Sequence, residues 1–444
     1  MRIRLVVIPA AALVVVCSGL ASARLQPRPS NLVVITLDTT RADRLPAYGF
    51  SGVRTPALDR VVREGVVFDR ANTVAPLTLP SHVSLFTGRY PPRHHVRDNA
   101  DVPLAPGTPT LAEMLHASGF RTAAFVASVV LSAQRGLARG FQTYVDGSRG
   151  DQRAPRRRDG RIVVDEASAW IDQHGGAPFF VWVHLYDVHG PQSLPLELRR
   201  AYGDSYEGGI AYADAQVGRL IDTLERHDLL GSTAIIVAGD HGESLGDHGE
   251  REHGVFIYES TIHVPLIVRS PGIRPGRSTD LVSLVDVAPT VLDLLRIPRA
   301  AQFDGVSLVA ALGGRRLPER EIYAESMYPA HFGWSPIRML RDARMKFIEA
   351  PRPELYDLAV DPFEQRDLSS DRPRLVDAMR ARLAMFAEAS SRDQAMLAPS
   401  AETVRELAAL GYASGGPART VAPQLDAKDY IQALSLRQHP SFDR

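Results

Sequence analysis

Asp240 and His241 stand side by side in the segment Ala238-Gly-Asp-His-Gly-Glu-Ser-Leu-Gly-Asp-His-Gly-Glu250. A carboxylate beside an imidazole, with glycines around them, makes either a metal-binding edge or a solvated Asp/His turn, and the pair alone does not choose between them. A second carboxylate raises the first reading. Asp38 closes the apolar run Asn31-Leu-Val-Val-Ile-Thr-Leu-Asp38, and Thr233 to Asp240 repeats that design far along the chain.

Both runs read as buried parallel strands, because continuous apolar stretches of this length fit a sheet covered on both faces. Pro178 to Leu185 and Val264 to Val268 have the same character, and Thr122 to Val126 is a weaker fifth. Helical patterns alternate with them: Leu111 to Ser118 closed by Gly119, Gly209 to His227 with Ile210, Ala213, Val217, Leu220 and Leu224 on one face, and Val287 to Leu295. Alternation of this kind predicts an α/β fold with a mostly parallel sheet covered by helices. Ligands of such sheets bind beyond the carboxyl ends of the strands, where Asp38 and Asp240 would project together. From about Leu308 the pattern changes to a small C-terminal α+β subdomain, with a hairpin of Ile337 to Leu340 and Met345 to Ile348 and a closing helix over Leu375 to Ala389. The expected division is a leader over 1–23, a catalytic domain over 30–305, the subdomain over 306–395 and a tail of uncertain order over 396–444.

The 51 Lys plus Arg residues balance 51 Asp plus Glu, which leaves no electrostatic footprint of a nucleic-acid or anionic-membrane binder. The run Arg156-Arg157-Arg158, in a polar stretch, reads as a solvated loop without a role. Met-Arg-Ile-Arg, the apolar run Leu5 to Val16 and Ala21-Ser22-Ala23 follow the order of an export signal, so the expected location is periplasmic or extracellular. No stretch reaches the length of a transmembrane helix. Cys17, the sole cysteine, falls inside that leader and is a candidate lipid attachment point.

Three segments taken together resemble the sulfatase family of the alkaline-phosphatase superfamily: Leu37 to Leu45 with Tyr48-Gly49, Ala75 to Gly88, and Asp240-His241-Gly242. The resemblance runs from about Asn31 to Leu295 and implies the alkaline-phosphatase-like fold. It makes Asp38, Asp240 and His241 ligands of one divalent metal, and Thr78 the nucleophile whose oxygen also touches that metal. Manganese or zinc suits one imidazole and two carboxylates better than calcium or magnesium, and iron would also be accepted.

The departures from the family pattern carry information. Thr78 stands where sulfatases carry the cysteine or serine that becomes formylglycine, and oxidising a secondary alcohol would give a ketone. Thr39 and His241 replace the second acid and the asparagine of the usual ligand set. The Asp, hydroxyl, Asp, His combination is similar to that of phosphonate monoester hydrolases and phosphodiesterases. The two lysines, Lys346 and Lys428, lie outside the motif-bearing region, so the sulfate-clamping lysines have no counterpart.

By the same resemblance Asn99 is an anion-contacting residue, and His189 and His253 are candidate acids for the leaving group. His82, one helical turn beyond Thr78, is placed to orient the nucleophile or meet an oxyanion, with amides at the start of that helix adding donors on the anion's side. His184 lies inside an apolar run and reads equally as a satisfied core histidine. The implied activity is hydrolysis of phosphate or phosphonate esters of a small-molecule or glycan-type anionic substrate. The alternatives are a sulfuric ester hydrolase, a non-catalytic sulfatase-fold binding protein and a phospho-group transferase.

Overall fold

The computed structural model describes residues 28–100, 103–147, 157–190, 194–299, 301–388 and 425–438. The expected leader with Cys17, Arg156 and most of the Gly147–Gly160 loop lie outside them.

Eight strands form the main sheet: β1 Asn31–Leu37, β2 Val66–Asn72, β3 Arg121–Val126, β4 Thr143–Val145, β5 Phe179–Leu185, β6 Thr233–Gly239, β7 Leu266–Arg269 and β8 Gly276–Ser283. Their order is β4-β3-β5-β1-β6-β7-β2-β8. Every residue of β1, β5 and β6 is buried, because successive side chains meet helices on opposite faces. Val33, Ile35 and Leu37 join the core beneath helices Pro56–Glu64, Gly160–His174 and Tyr206–Arg226. Leu32 and Val34 join the core beneath Thr78–Thr87, Leu111–Ala117 and Val287–Leu295.

One strand departs from expectation. β7 pairs antiparallel with both β6 and β2, whereas the other pairings in the sheet are parallel. The chain returns from β6 to its neighbour along the same edge without a long crossover helix, and a parallel partner would need such a crossover. The helix at Leu111 stops at Ala117 with Gly119 in the left-handed region, φ 88°, and starts from a Thr110/Glu113 capping box.

Register then aims the chemistry. Leu37 lies opposite Leu185 on one side and Gly239 on the other, so Asp38 leaves the sheet between the ends of β5 and β6, next to Asp240. Thr39 immediately bends the chain with φ 51°, a conformation that is strained for a β-branched residue. That bend directs the Thr39 amide at Asp240 Oδ1, 3.1 Å away.

The second sheet is an antiparallel meander, β9 Ile322–Ser326, β10 Ile337–Arg341, β11 Met345–Glu349 and β12 Glu354–Asp357, with helix Pro373–Glu388 packed on β10 and β11. It docks through ions as well as apolar surface. Arg341 reaches Glu259 at 2.7 Å, Lys346 lies 3.1 Å from Glu259 and 2.7 Å from Glu364, and Arg97 holds Glu325. Residues 425–438 add a short strap in which Tyr430 stacks on Trp334. Among the described residues no helix is long and apolar enough to cross a membrane.

Candidate active site at the carboxyl rim of the sheet

Thr78 is the first residue of its helix and is fully buried. Its hydroxyl lies 3.4 Å from Asp38 Oδ2 and 3.3 Å from His241 Nε2. Three chain-distant segments therefore meet at one oxygen. Asp240 Oδ1 accepts the amides of Thr39 and His241, at 3.1 and 2.8 Å, while its Oδ2 and Asp38 Oδ1 are buried with no partner. Burial pushes the Asp38 carboxyl up to about 7, with Glu243 adding to the rise and His241, Arg157 and Thr78 opposing it. Burial and then Asp38 raise Asp240 as well.

His241 donates its Nδ1 proton to the Gly242 carbonyl at 2.9 Å, since a carbonyl only accepts. Its Nε2 lone pair is thus turned to Thr78. Two open carboxylate oxygens, one bare imidazole nitrogen and a hydroxyl form a donor set that fits a divalent cation. One ligand atom from each of Asp38, Asp240 and His241 lies within 4.8 Å of the others.

A second cluster, His82, His184 and Asp240, satisfies the same distance, but its imidazoles are already committed. His184 Nδ1 accepts the Ala127 amide at 3.4 Å, so Nε2 carries the proton and donates to Asp38 Oδ2 at 3.2 Å. His82 donates Nδ1–H to the Thr78 carbonyl at 2.7 Å and faces Thr36 Oγ1 through Nε2 at 3.0 Å. Trp182 Nε1–H fixes the other side of Thr36 at 3.0 Å. Burial pulls His82 down to about 3 and His184 to about 4, so both act as neutral orienting groups. His82 thus has both ring nitrogens engaged, one with the backbone of Thr78 and one with Thr36.

Asn99 accepts the Leu79 amide through Oδ1 at 2.9 Å, which leaves a buried Nδ2 without a partner. Pro80 has no N–H, and Ser81 donates to the Leu77 carbonyl at 3.3 Å. The amide donors expected beyond Thr78 at the helix start are consequently spent, and the Asn99 amide is the group left to offer. His253 lies between His241 and His189, with ring centroids 4.4 and 5.1 Å apart, and its Nδ1 is 3.1 Å from Glu243 Oε1.

Several groups escaped sequence reasoning. His184, weighed in the sequence as equally a core histidine, had its position inside an apolar strand-like run as its one signal. Glu243 and Tyr186 had none beyond nearness to motif residues. Arg157 and Arg158, expected in solvent, fold inward: Arg158 is buried, pairs with Glu166 and donates to the Val126 and Val145 carbonyls, both at 3.1 Å. Charge runs are solvated by default, and this one is drawn in by unpaired carbonyls at the strand ends.

The sulfatase family model matches residues 30–297. The chain belongs to the sulfatase family. A second model, the C-terminal region of N-sulphoglucosamine sulphohydrolase, matches residues 246–388. The chain is 24% identical over 419 residues to a Δ4,5-hexuronate-2-O-sulfatase of Bacteroides thetaiotaomicron, covering 79% of this chain and 86% of that one. It is 36% identical over 172 residues to a choline-sulfatase of Rhizobium meliloti, covering 38% and 33%. Among solved structures, the phosphonate monoester hydrolase of Agrobacterium radiobacter superposes with a TM-score of 0.70 at 22% identity, covering 82% of this chain and 96% of that one. A 2-O GAG sulfatase gives 0.69 at 21%, covering 82% and 93%. The protein is therefore a sulfatase-family hydrolase acting on ester bonds, with the alkaline-phosphatase-like fold.

Proposed function

We propose that this sulfatase-family member hydrolyses phosphate or phosphonate esters with Thr78 as nucleophile. The observation that carries the reading is the Thr78 hydroxyl itself, poised between Asp38 Oδ2 and the bare Nε2 of His241 and unable to become an aldehyde. Asp38, Asp240, His241 and Thr78 are the residues that would hold a divalent metal, with manganese or zinc favoured. Such a cation lowers the pKa of a coordinated water from 15.7 to roughly 7, about 12 kcal/mol of anion stabilisation, and an alcohol nucleophile needs help of that order.

Thr78 Oγ1 passes its proton to Asp38 Oδ2, 3.4 Å away, and forms a bond to phosphorus as the bond to the leaving oxygen breaks. The Asn99 Nδ2–H group donates to a non-bridging oxygen. The departing alkoxide takes a proton from His253 or His189. Burial brings His253 down to about 4 and His189 well below its ordinary value, so each is a neutral ring that must be refilled from its other nitrogen. For His253 the source is Glu243, whose carboxyl burial pushes up to about 8, whereas His189 Nδ1 faces the Arg157 guanidinium, which has no proton to give, so His253 is the acid the geometry favours. Water then attacks phosphorus, its proton refilling the His253–Glu243 pair, and Thr78 leaves with the proton held on Asp38.

A threonyl sulfate lacks the hemiacetal collapse that regenerates formylglycine, which favours the phospho-ester over the sulfate ester. The leader-like N-terminus supports an exported enzyme meeting a small-molecule or glycan-type anionic ester. The test is a panel of aryl sulfate, phosphate mono- and diesters and phosphonates, run with Mn²⁺, Zn²⁺, Mg²⁺ and Ca²⁺. Preferential turnover of phospho-esters is expected. Preferential turnover of the aryl sulfate would overturn the reading in favour of a sulfuric ester hydrolase.

A further inference from the structure

The rim collects two carboxylates, and a dication bound there would do little more than offset them. An anionic ester then needs a cation of its own, and neither lysine can provide it. Lys346 is buried against Glu259 and Glu364, and Lys428 pairs with Glu354. Nor are most of the arginines on the site-building segments available. Arg41 is held by Asp43 and Asp247, Arg97 by Glu325 and Arg158 by Glu166.

Arg157 is different. Its guanidinium donates to the carbonyls of His189 at 2.7 Å and Gly190 at 3.1 Å, and lies 3.2 Å from His189 Nδ1. Its contacts are thus neutral ones, with no carboxylate among the described residues in ion-pair range. Arginine only donates, so His189 Nδ1 is the accepting nitrogen, and at least one guanidinium proton is left to offer. The same guanidinium sits over the Tyr186 ring, 5.0 Å from its centroid. Tyr186 in turn stacks on His189, with centroids 4.5 Å apart and planes 15° from parallel. The Tyr186 hydroxyl is buried, makes no aligned hydrogen bond, and has Asp38, Arg157 and Asp240 as its charged neighbours. A buried phenol whose only side-chain neighbour in reach is a guanidinium, itself held by carbonyls and a ring nitrogen with no carboxylate in ion-pair range, leaves both groups able to donate to an anion.

We infer that Arg157 and Tyr186 form the anion clamp of this site. Arg157 meets the charge on a non-bridging oxygen of the bound ester, and Tyr186 donates to the same group from its hydroxyl. The clamp takes tetrahedral oxyanions carrying at least one full charge, the class that includes phosphodiesters, phosphonate monoesters and sulfate esters, and it replaces the lysines the chain lacks. His189 is held by the same guanidinium, so recognition of the anion and the orientation of His189 share one residue. The inference rests on the ester-hydrolase reading for its substrate, but its test does not depend on turnover.

Inorganic phosphate and sulfate binding should be measured by titration calorimetry on the wild-type protein, metal-free and manganese-loaded, and on Arg157→Ala, Arg157→Lys and Tyr186→Phe. Arg157→Ala is expected to weaken phosphate binding by about 10- to 100-fold in both metal states, the range for a hydrogen bond to a charged group. Arg157→Lys restores the charge without the fork and should recover part of that loss. Tyr186→Phe keeps the stack and should cost roughly 3- to 10-fold. Binding by Arg157→Ala within twofold of wild type, at an unchanged melting temperature, overturns the clamp, as does a wild-type protein that binds neither anion. A fall in kcat with phosphate affinity intact would make Arg157 a positioning residue for His189 and would equally overturn it. If Arg157→Ala does not fold, Arg157→Lys and Tyr186→Phe both binding within twofold of wild type have the same meaning. If no ester in the panel is turned over while phosphate binding still depends on Arg157, the hydrolase reading falls and the clamp stands.

Discussion

Two buried clusters of charge, one where the meander meets the main sheet and one at the carboxyl rim, are built to opposite rules. Where the meander meets the main sheet, Glu259 has Arg341 at 2.7 Å and Lys346 at 3.1 Å, and Glu364 has Lys346 at 2.7 Å. At the carboxyl rim, Asp38 and Asp240 each keep a buried oxygen with no hydrogen-bond partner, and burial keeps His82 and His184 beside them neutral. Breaking a buried pair exposes an uncompensated charge, and leaving one unpaired from the start carries the same cost. The interface spends its charges on holding two sheets together. The rim holds its own in reserve for a ligand.

The sharpest way to break this contrast is at the nucleophile. Thr78→Ala should lower turnover by about 10⁴-fold or more, as removal of a covalent nucleophile does, while urea unfolding of the metal-free protein stays unchanged; retained turnover in steady-state kinetics would remove Thr78 from the role. Next in size, Lys346→Met should destabilise the protein by about 3–5 kcal/mol, because it strips Glu364 of its cation, with kcat unaffected in the protein that remains folded. Asp240→Asn should do the reverse at the rim. Metal binding by calorimetry is lost, yet the metal-free protein gains about 1 kcal/mol in urea unfolding, since an unpaired buried carboxylate is gone.

Smallest in amplitude but most diagnostic is pH. Burial alone would raise Glu259, but Arg341 and Lys346 hold it down to about 2 from the ordinary 4.5. Its stabilisation is therefore complete above pH 4.5 and lost as pH falls toward 2. Asp38 is raised from 3.8 to about 7, so the folded metal-free protein binds the extra proton and loses stability as pH rises between those values. Melting temperatures across pH should show both limbs. Asp38→Asn should lessen the neutral limb, to which Glu364, raised to about 7, and Glu243 and Glu250, raised to about 8, also contribute, and Lys346→Met should flatten the acid one.

The parts of this molecule legible in the sequence are those whose signal is local. β1, β5, β6 and the long helix Tyr206–Arg226 are uninterrupted apolar or helical-period runs, and each lies within a few residues of its expected span. β2 and β8 carry Asp69, Arg70, Arg277 and Asp280 among their apolar residues, and a short strand of mixed character near a sheet edge does not separate itself from a loop. The direction of β7 depends on the path back from β6, which no residue within β7 encodes. The same division holds at the site. Asp38, Thr78, Asp240 and His241 sit in motifs, and the fold brings them to one point. Arg157 and Tyr186 acquire their place only from tertiary neighbours, since a guanidinium in a polar stretch has the same sequence signature whether it faces water or a buried phenol.

The two lysines have a practical consequence. Lys346 is fully buried, and the Lys428 side chain is 22% exposed and engaged with Glu354. Amine-directed reagents therefore meet a surface almost devoid of targets, and acylation beyond the chain's own amino terminus should converge on Lys428. With the amino terminus blocked, a fluorophore attached there would report on the strap of residues 425–438, giving a singly labelled protein without cysteine engineering.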